Sequence, residues 1–137
     1  MIRQDFISKI IEQMVTSIAR MLKLDYEKET RDYLNSFEEL LKSYYKISSA
    51  QLEKLLEIDS ERDAFLLDEK TKNLQLKLFL NAGLAFHLEN EKQKARYCLK
   101  IIERIQEQNT RVFEFPSSEN LQLNEEILQL KHLLFLD

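Results

Sequence analysis

The feature that most constrains the fold of this chain is a pair of apolar helical patterns with one short break between them. Residues 76–88 carry apolar side chains along one broad helix face, and residues 95–105 repeat them every three or four positions. The break is Glu89-Asn90-Glu91, and asparagine tolerates the left-handed conformation that ends a helix. A connection this short predicts two antiparallel helices in direct contact.

Gly83, the only glycine in the chain, lies inside the first of these helices. A glycine there destabilises a helix by roughly 1 kcal/mol relative to alanine. Its presence is best explained by a neighbouring segment that leaves no room for a Cβ. Small residues on the two helices, Ala82, Ala85 and Ala95, predict the same close approach of their backbones.

Residues of characteristic size surround Gly83 at fixed intervals, with aromatic residues four before and three after it and smaller ones on the second helix: Phe79, Phe86, Ala95, Leu99 and Ile102. This pattern resembles a tetratricopeptide repeat (TPR), a helix–turn–helix unit defined by sparse large and small positions. Two residues depart from it, because Ile102 is bulkier than the usual small residue and Glu107 stands where a proline commonly ends the unit.

The whole chain is similar to an uncharacterised bacterial family of small TPR-like proteins, through its opening MIRQDFISKIIEQM and the hairpin of residues 76–105. The resemblance implies an all-α fold, a TPR-like bundle of about five to seven antiparallel helices arranged as helical hairpins. It implies no particular activity.

The composition favours one all-helical domain that spans residues 1–137. Hydrophobic residues make up 44% and charged residues 32%, an ordinary globular balance. One glycine and one proline leave almost no material for tight β-turns, which argues against a β-rich fold. The net charge of −4 argues against general nucleic-acid binding, which relies on lysine and arginine to neutralise phosphate.

Cysteine content and hydropathy bear on the compartment. A single cysteine excludes an intramolecular disulfide framework. Glu12 and Gln13 split the apolar residues of the first helix, unlike a signal peptide. No apolar run approaches the roughly 20 residues of a membrane span. We therefore expect a cytoplasmic protein without membrane contact.

Two helices are predicted at the start of the chain. The first covers about residues 2–24, and the second runs from an N-cap at Asp25 to about residue 46. The first carries an apolar stripe at alternating four- and three-residue steps that includes Ile7, Ile11, Met14 and Ile18. A stripe this wide packs on the body of the protein or on a second copy, and both alternatives stay open.

Short helices are predicted in the middle of the chain. Ser48 with Gln51 fits a capping box that opens a helix reaching Ile58, and Asp59 or Ser60 caps the next segment. The polar residues from 68 to 73 cannot all face a core. They form either a solvated bridge within one long helix or a break between two, and we favour the break.

The end of the chain combines a loop and a last helix. The stretch NTRVFEFPSSEN is the only clear long loop, and its apolar residues Val112, Phe113 and Phe115 are expected to lie pinned on the helical body. Ser117 or Ser118 caps the last helix, which runs through Leu123, Ile127, Leu130 and Leu134, with four more apolar residues around them: Leu128, Leu133, Phe135 and Leu136. An end as apolar as LLFL must be covered, so Leu130 and Leu134 join the stripe of the first helix as candidate contacts in a homodimer.

Four of the five tyrosines lie in the second predicted helix: Tyr26, Tyr33, Tyr44 and Tyr45. They could form an aromatic groove for a peptide or ligand, since tyrosine joins apolar area to a polar tip. The alternative is core packing with hydroxyls that reach solvent, and we favour the core.

The chain offers few residues for catalysis or metal binding. His87 and Cys98 lie on the two helices of the hairpin and can approach each other, but a cysteine inside a helix is usually a small hydrophobe. His132 has no partner at metal-ligand spacing, and no HExxH or CxxC motif occurs. We expect no enzymatic activity, no metal and no cofactor.

One candidate binding constellation remains on the hairpin. If it is a true repeat, its first helix turns Lys77, Asn81, Leu84 and His87 toward the concave side. In the TPR family, asparagine and lysine or arginine at matching places hold a peptide's main chain or terminal carboxylate. The resemblance therefore implies peptide binding by Lys77, Asn81 and His87, and the alternative is a solvated polar edge.

The function that these observations favour is a non-enzymatic interaction module that holds a protein or peptide partner or self-associates. The alternative is a small-ligand-binding or regulatory domain with a tyrosine-lined pocket, which requires an enclosed apolar cavity.

Overall fold

The computed structural model describes the backbone of residues 2–107 and 118–135, and the side chains of residues 6–107 and 120–135. Within these ranges the chain is an all-α bundle without strands, which confirms the predicted all-α class, while the TPR-like arrangement stays a prediction. None of the described helices is long and apolar enough to cross a membrane. The expected positions of Val112, Phe113 and Phe115, and a cap at Ser117, lie outside the described residues.

Six α-helices make up most of the described chain: α1 (Ile2–Met21), α2 (Thr30–Leu40), α3 (Ser60–Leu66), α4 (Lys72–Leu88), α5 (Lys92–Glu107) and α6 (Ser118–Phe135). Shorter helical segments connect some of them: a π-helical turn (Leu41–Tyr45) and two 3₁₀ helices (Ser49–Leu56 and Glu69–Thr71). Helix α4 lies in the middle and packs against α1, α2, α5 and α6.

Helices α4 and α5 form the predicted antiparallel hairpin. α4 ends in a Schellman motif, in which the Asn90 N–H donates to the His87 carbonyl and the Glu91 N–H donates to the Phe86 carbonyl. Asn90 has a φ of 63°, in the left-handed region. The predicted break at residues 89–91 is therefore confirmed.

A π-helical turn at the end of α2 changes which tyrosine faces the core. The wider winding of Leu41–Tyr45 advances the buried face by about one residue relative to a continuous α-helix. Tyr45 is consequently buried, while Tyr44 stays half-buried. Lys46 ends the turn in a left-handed conformation with a φ of 57°.

The predicted second helix also starts later than expected. Asp25 accepts hydrogen bonds from the backbone N–H groups of Glu27 and Lys28, but it caps a turn and α2 begins only at Thr30. The prediction of one α-helix from Asp25 to residue 46 is therefore wrong at both ends.

The short helices in the middle of the chain begin at the predicted capping residues. The Gln51 side chain accepts a hydrogen bond from the Ser48 backbone N–H, as the capping box requires, although the helix that it opens is 3₁₀. Ile58 lies beyond that helix and is 93% exposed. Asp59 caps α3 by accepting from two backbone N–H groups. The favoured break after α3 is confirmed, since a 3₁₀ turn separates it from α4.

Helix α6 packs across the hairpin at its glycine. Leu130 of α6 and Cys98 of α5 occupy the space beside Gly83, so a neighbour that leaves no room for a Cβ is present as predicted. The closest neighbour is α6 rather than the hairpin partner. Gly83 thus sets how closely the last helix approaches the centre of the bundle.

Candidate interaction surface

The apolar stripes that suggested a homodimer are largely used inside the single chain. Of the six candidate residues, four are buried and two are half-buried: Met14, Ile18, Leu130 and Leu134 are buried, and Ile7 and Ile11 are half-buried. A second copy reaches the four buried side chains only if the core opens. The exposed apolar residues of these helices lie elsewhere.

A different apolar strip lies on the outer face of α6. Leu121, Leu128 and Phe135 are 55%, 54% and 68% exposed and follow one another at intervals of seven residues. Seven residues make nearly two helical turns, so the three side chains share one face over about 21 Å. We call these three residues the outer strip.

The face of α6 opposite the outer strip packs against the body of the protein. The inner face of α6 is buried through four residues: Leu123, Ile127, Leu130 and Leu134. Asn73 Nδ2 of α4 donates to Asn120 Oδ1 at 3.1 Å, and Lys131 Nζ lies 4.0 Å from Glu103 Oε2 of α5. These contacts fix the rotation of α6 and keep the outer strip turned to solvent.

Polar residues border the outer strip on both sides. By helical spacing, Asn124 and Lys131 lie along one edge, and Glu125 and His132 lie along the other. All four residues are exposed. One apolar residue in every seven, with polar and charged edges, supplies one of the two apolar positions that a pairing helix repeats in each heptad.

The three residues of α4 with expected peptide-binding roles differ in exposure, and Asn81 is buried. Lys77 is exposed, Asn81 is 8% exposed, and His87 is half-buried. The Nδ1 atom of His87 is enclosed and has no hydrogen-bond partner among the described residues. Lys77 and Asn81 share a face by their spacing of four residues, whereas His87 lies toward its edge. Peptide binding by these residues stays a prediction.

Two of the four tyrosines are core residues. The Tyr33 hydroxyl donates to the Leu78 carbonyl at 3.0 Å, and the Tyr45 hydroxyl donates to Gln75 Oε1 at 3.1 Å. Burial raises the pKa of both phenols, so both hydroxyls stay protonated at neutral pH. Tyr33 and Tyr45 therefore pack in the core as predicted, but the expectation that their hydroxyls reach solvent is wrong, since both bond within the protein.

Tyr44 borders two clefts beside α1. The first, of about 380 Å³, also has Ser17 and Arg20 in its lining, and the second, of about 420 Å³, has Phe6 and Phe65. Both clefts are open to solvent. They differ in this respect from the enclosed apolar cavity that the ligand-binding alternative requires.

Three features of the described residues bear on catalysis: the cysteine, the candidate metal ligands and the most buried ion pair. Burial raises the pKa of the Cys98 thiol, which disfavours the nucleophilic thiolate. No group of three or more His, Cys, Asp or Glu residues is placed to hold a metal ion in the described ranges. The shortest described ion pair joins Arg104 of α5 to Asp63 of α3 and serves to hold these helices together.

Sequence reasoning missed the outer strip and two polar contacts. The signal for the strip was present in the seven-residue spacing of Leu121, Leu128 and Phe135, which was hidden beside the stronger inner pattern. No comparable signal pointed to the burial of Gln75, or to the pairing of Arg104 with a carboxylate 41 residues away.

Comparisons with protein-family models, curated proteins and solved structures find no match to this chain.

Proposed function

We propose that this chain is a non-enzymatic interaction module that binds another protein chain through the outer strip of α6. The observation that carries the proposal is the alignment of three exposed, large apolar side chains on a helix whose inner face is buried. Single exposed apolar residues are common on protein surfaces, whereas three large ones that recur on the same face of one helix favour a contact site.

The hairpin of α4 and α5 supports a TPR-like scaffold as part of this proposal. The residues on the positions that resemble the repeat are all buried: Phe79, Gly83, Phe86, Ala95, Leu99 and Ile102. A hairpin of this kind buries its faces by stacking on further helices, and α6 packs on both of its helices. We propose membership in the uncharacterised bacterial family and a cytoplasmic location on the sequence grounds already given.

The ligand-binding alternative has less support. It requires a pocket lined by tyrosines. Tyr33 and Tyr45 instead pack in the core, and their hydroxyls donate hydrogen bonds to other groups of the same chain. The clefts beside Tyr44 are open rather than enclosed. An interaction surface on α6 requires no such cavity.

Affinity capture with two matched variants tests the proposal. Leu128→Glu places a charge in the middle of the outer strip, whereas Ile58→Glu makes the same kind of change at an exposed position outside the helices. We expect the wild-type chain and Ile58→Glu to retain the same protein partners, copies of this chain included, and Leu128→Glu to lose them. Equal capture by all three proteins would contradict the proposal.

A further inference from the structure

We infer that the partner of the outer strip is the outer strip of a second copy, in an antiparallel pair of α6 helices centred on Leu128. The inference rests on the proposed function, and it adds the identity and the orientation of the partner. The arrangement of charges along the two edges of the strip carries it.

The apolar residues match themselves in this register. In an antiparallel pair with two-fold symmetry, positions at equal distances before and after the central residue face each other across the interface. Leu128 then meets Leu128 of the second copy, and Leu121 meets Phe135, because each lies seven residues from the centre. Each side chain of the outer strip thus gains an apolar neighbour, and both ends of the strip take part in the contact.

The edges of the strip match as well. The same symmetry places like edges of the two helices on the same side of the interface. Along one edge, Glu125 lies three residues before the centre and faces His132, four residues after it, on the second copy. Along the other edge, Lys131 faces Asn124. Each pairing occurs twice and none brings two like charges together.

A parallel pair is less favourable. Parallel symmetry sets opposite edges against each other at the same height, so His132 of one copy lies beside Lys131 of the other. Two cations meet there when the imidazole is charged, and Glu125 finds only Asn124 across the interface. Like charges across a helix pair disfavour that orientation.

The surface is small, which bounds the strength of the contact. A standard interface buries about 800 Å² on each partner, and a single helix strip of about 21 Å lies below that. A concentration-dependent dimer with a dissociation constant of about 10 µM is the expected outcome.

Sedimentation equilibrium of the full chain over a range from about 1 to 300 µM tests the association. We expect wild-type protein and Ile58→Glu to pass from monomer to dimer, and Leu128→Glu to bind at least about tenfold more weakly. A wild-type chain that is monomeric throughout would overturn the inference. An equal dimer of Leu128→Glu would also overturn it.

Disulfide trapping tests the orientation. Chains that carry Leu121→Cys are mixed with chains that carry Phe135→Cys and are oxidised gently, while the native Cys98 stays buried. Because a disulfide requires Cα atoms within about 7 Å, the antiparallel register predicts a crosslink between the two variants. Crosslinks only between identical variants would show a parallel pair and overturn the register.

A charge exchange tests the Glu125–His132 pairing. Glu125→Lys removes the carboxylate that faces His132 and is expected to weaken the dimer about 2- to 10-fold. Adding His132→Glu to the same chain restores the opposite charges and is expected to restore the affinity. Failure of the second change to restore it would overturn the pairing.

The two proposals can fail separately. If the chain is monomeric but the outer strip still captures another protein that Leu128→Glu loses, the homodimer is wrong and the interaction module stands. If Leu128→Glu changes neither self-association nor capture, both proposals are wrong.

Discussion

A Cβ placed on Gly83 would lie 2.9 Å from Cδ2 of Leu130 and 3.4 Å from the Cβ of Cys98. The first distance is shorter than carbon atoms tolerate, so α6 rests directly on the backbone of α4. The contact is made by a terminal methyl of Leu130, and because Leu130 is fully buried, its rotation must displace the side chains packed around it. The only glycine of the chain therefore determines how closely α6, the helix that carries the outer strip, approaches α4.

Gly83→Ala is expected to lower the free energy of unfolding by about 1 kcal/mol. Alanine favours the helix by roughly 1 kcal/mol, but overpacking against Leu130 typically costs about 1–3 kcal/mol, and the second effect is the larger one here. Urea denaturation followed by circular dichroism measures the difference.

A double-mutant cycle identifies the cause of that loss. Leu130→Ala alone is expected to cost about 2–5 kcal/mol, because it leaves a cavity. In that background Gly83→Ala is expected to stabilise the protein by about 0.5–1 kcal/mol, since the clash is gone and the helix gain remains. The same destabilisation in both backgrounds would show that Leu130 is not the obstacle.

The ion pair between Asp63 and Arg104 is expected to matter far more than the surface pairs. Arg104 donates to both Asp63 oxygens at 2.8 and 3.0 Å and to the Leu55 carbonyl at 3.0 Å. Both side chains are mostly buried. Asp63→Asn leaves the guanidinium without its counter-charge and is expected to cost about 2–4 kcal/mol in urea denaturation.

The pair between Arg31 and Glu89 supplies the control. Its guanidinium is largely exposed, and the closest atoms lie 3.7 Å apart. Glu89→Gln is expected to change the free energy of unfolding by less than about 0.5 kcal/mol. Similar losses from both variants would mean that burial does not separate the two pairs.

Stability is expected to fall at alkaline pH, beginning with the thiol. Burial raises the pKa of Cys98, so the folded state keeps a proton that the unfolded chain releases above about pH 8.5. The contribution is fully present below that pH and is lost as pH rises, by up to about 1.4 kcal/mol per pH unit. Tyr33 and Tyr45, whose pKa values burial also raises, add to the fall above about pH 10.

Cys98→Ala separates the thiol from the tyrosines. Between about pH 8.5 and 10 the wild-type protein is expected to lose about 1.5 kcal/mol more stability than Cys98→Ala. The measurement is a series of urea denaturation curves at several pH values. The difference in free energy of unfolding between the two proteins at about pH 7.5 is subtracted from the difference at each higher pH. Parallel pH profiles for the two proteins would show that the thiol does not contribute.

Local features of the fold could be predicted from the sequence because their causes are local. The break at Asn90 follows from residues that end a helix, and the cap at Asp59 follows from a side chain that reaches its own backbone. The burial of Tyr45 in place of Tyr44 could not be predicted, since the π-helical turn that decides it has no local signature in the chain.

Contacts between distant residues could not be predicted for a different reason. Gln75 is buried because Tyr45 and the Phe65 carbonyl satisfy its amide, and both partners are known only once the helices are packed. The outer strip raises the same difficulty. Spacing reveals two apolar faces on α6, but only the packed structure shows which face the body covers.

Substitutions at Leu128 and Leu130 test directly which face of α6 the body of the protein covers. Leu128 is 54% exposed and Leu130 is fully buried, although they lie two residues apart on α6. Leu128→Glu is expected to change the free energy of unfolding by less than about 0.5 kcal/mol when measured at low micromolar concentration, where a weak dimer is dissociated. Leu130→Glu is expected to prevent folding, because an unpaired carboxylate would enter the core. A loss above about 2 kcal/mol for Leu128→Glu would mean that the outer strip belongs to the core and not to an interaction surface.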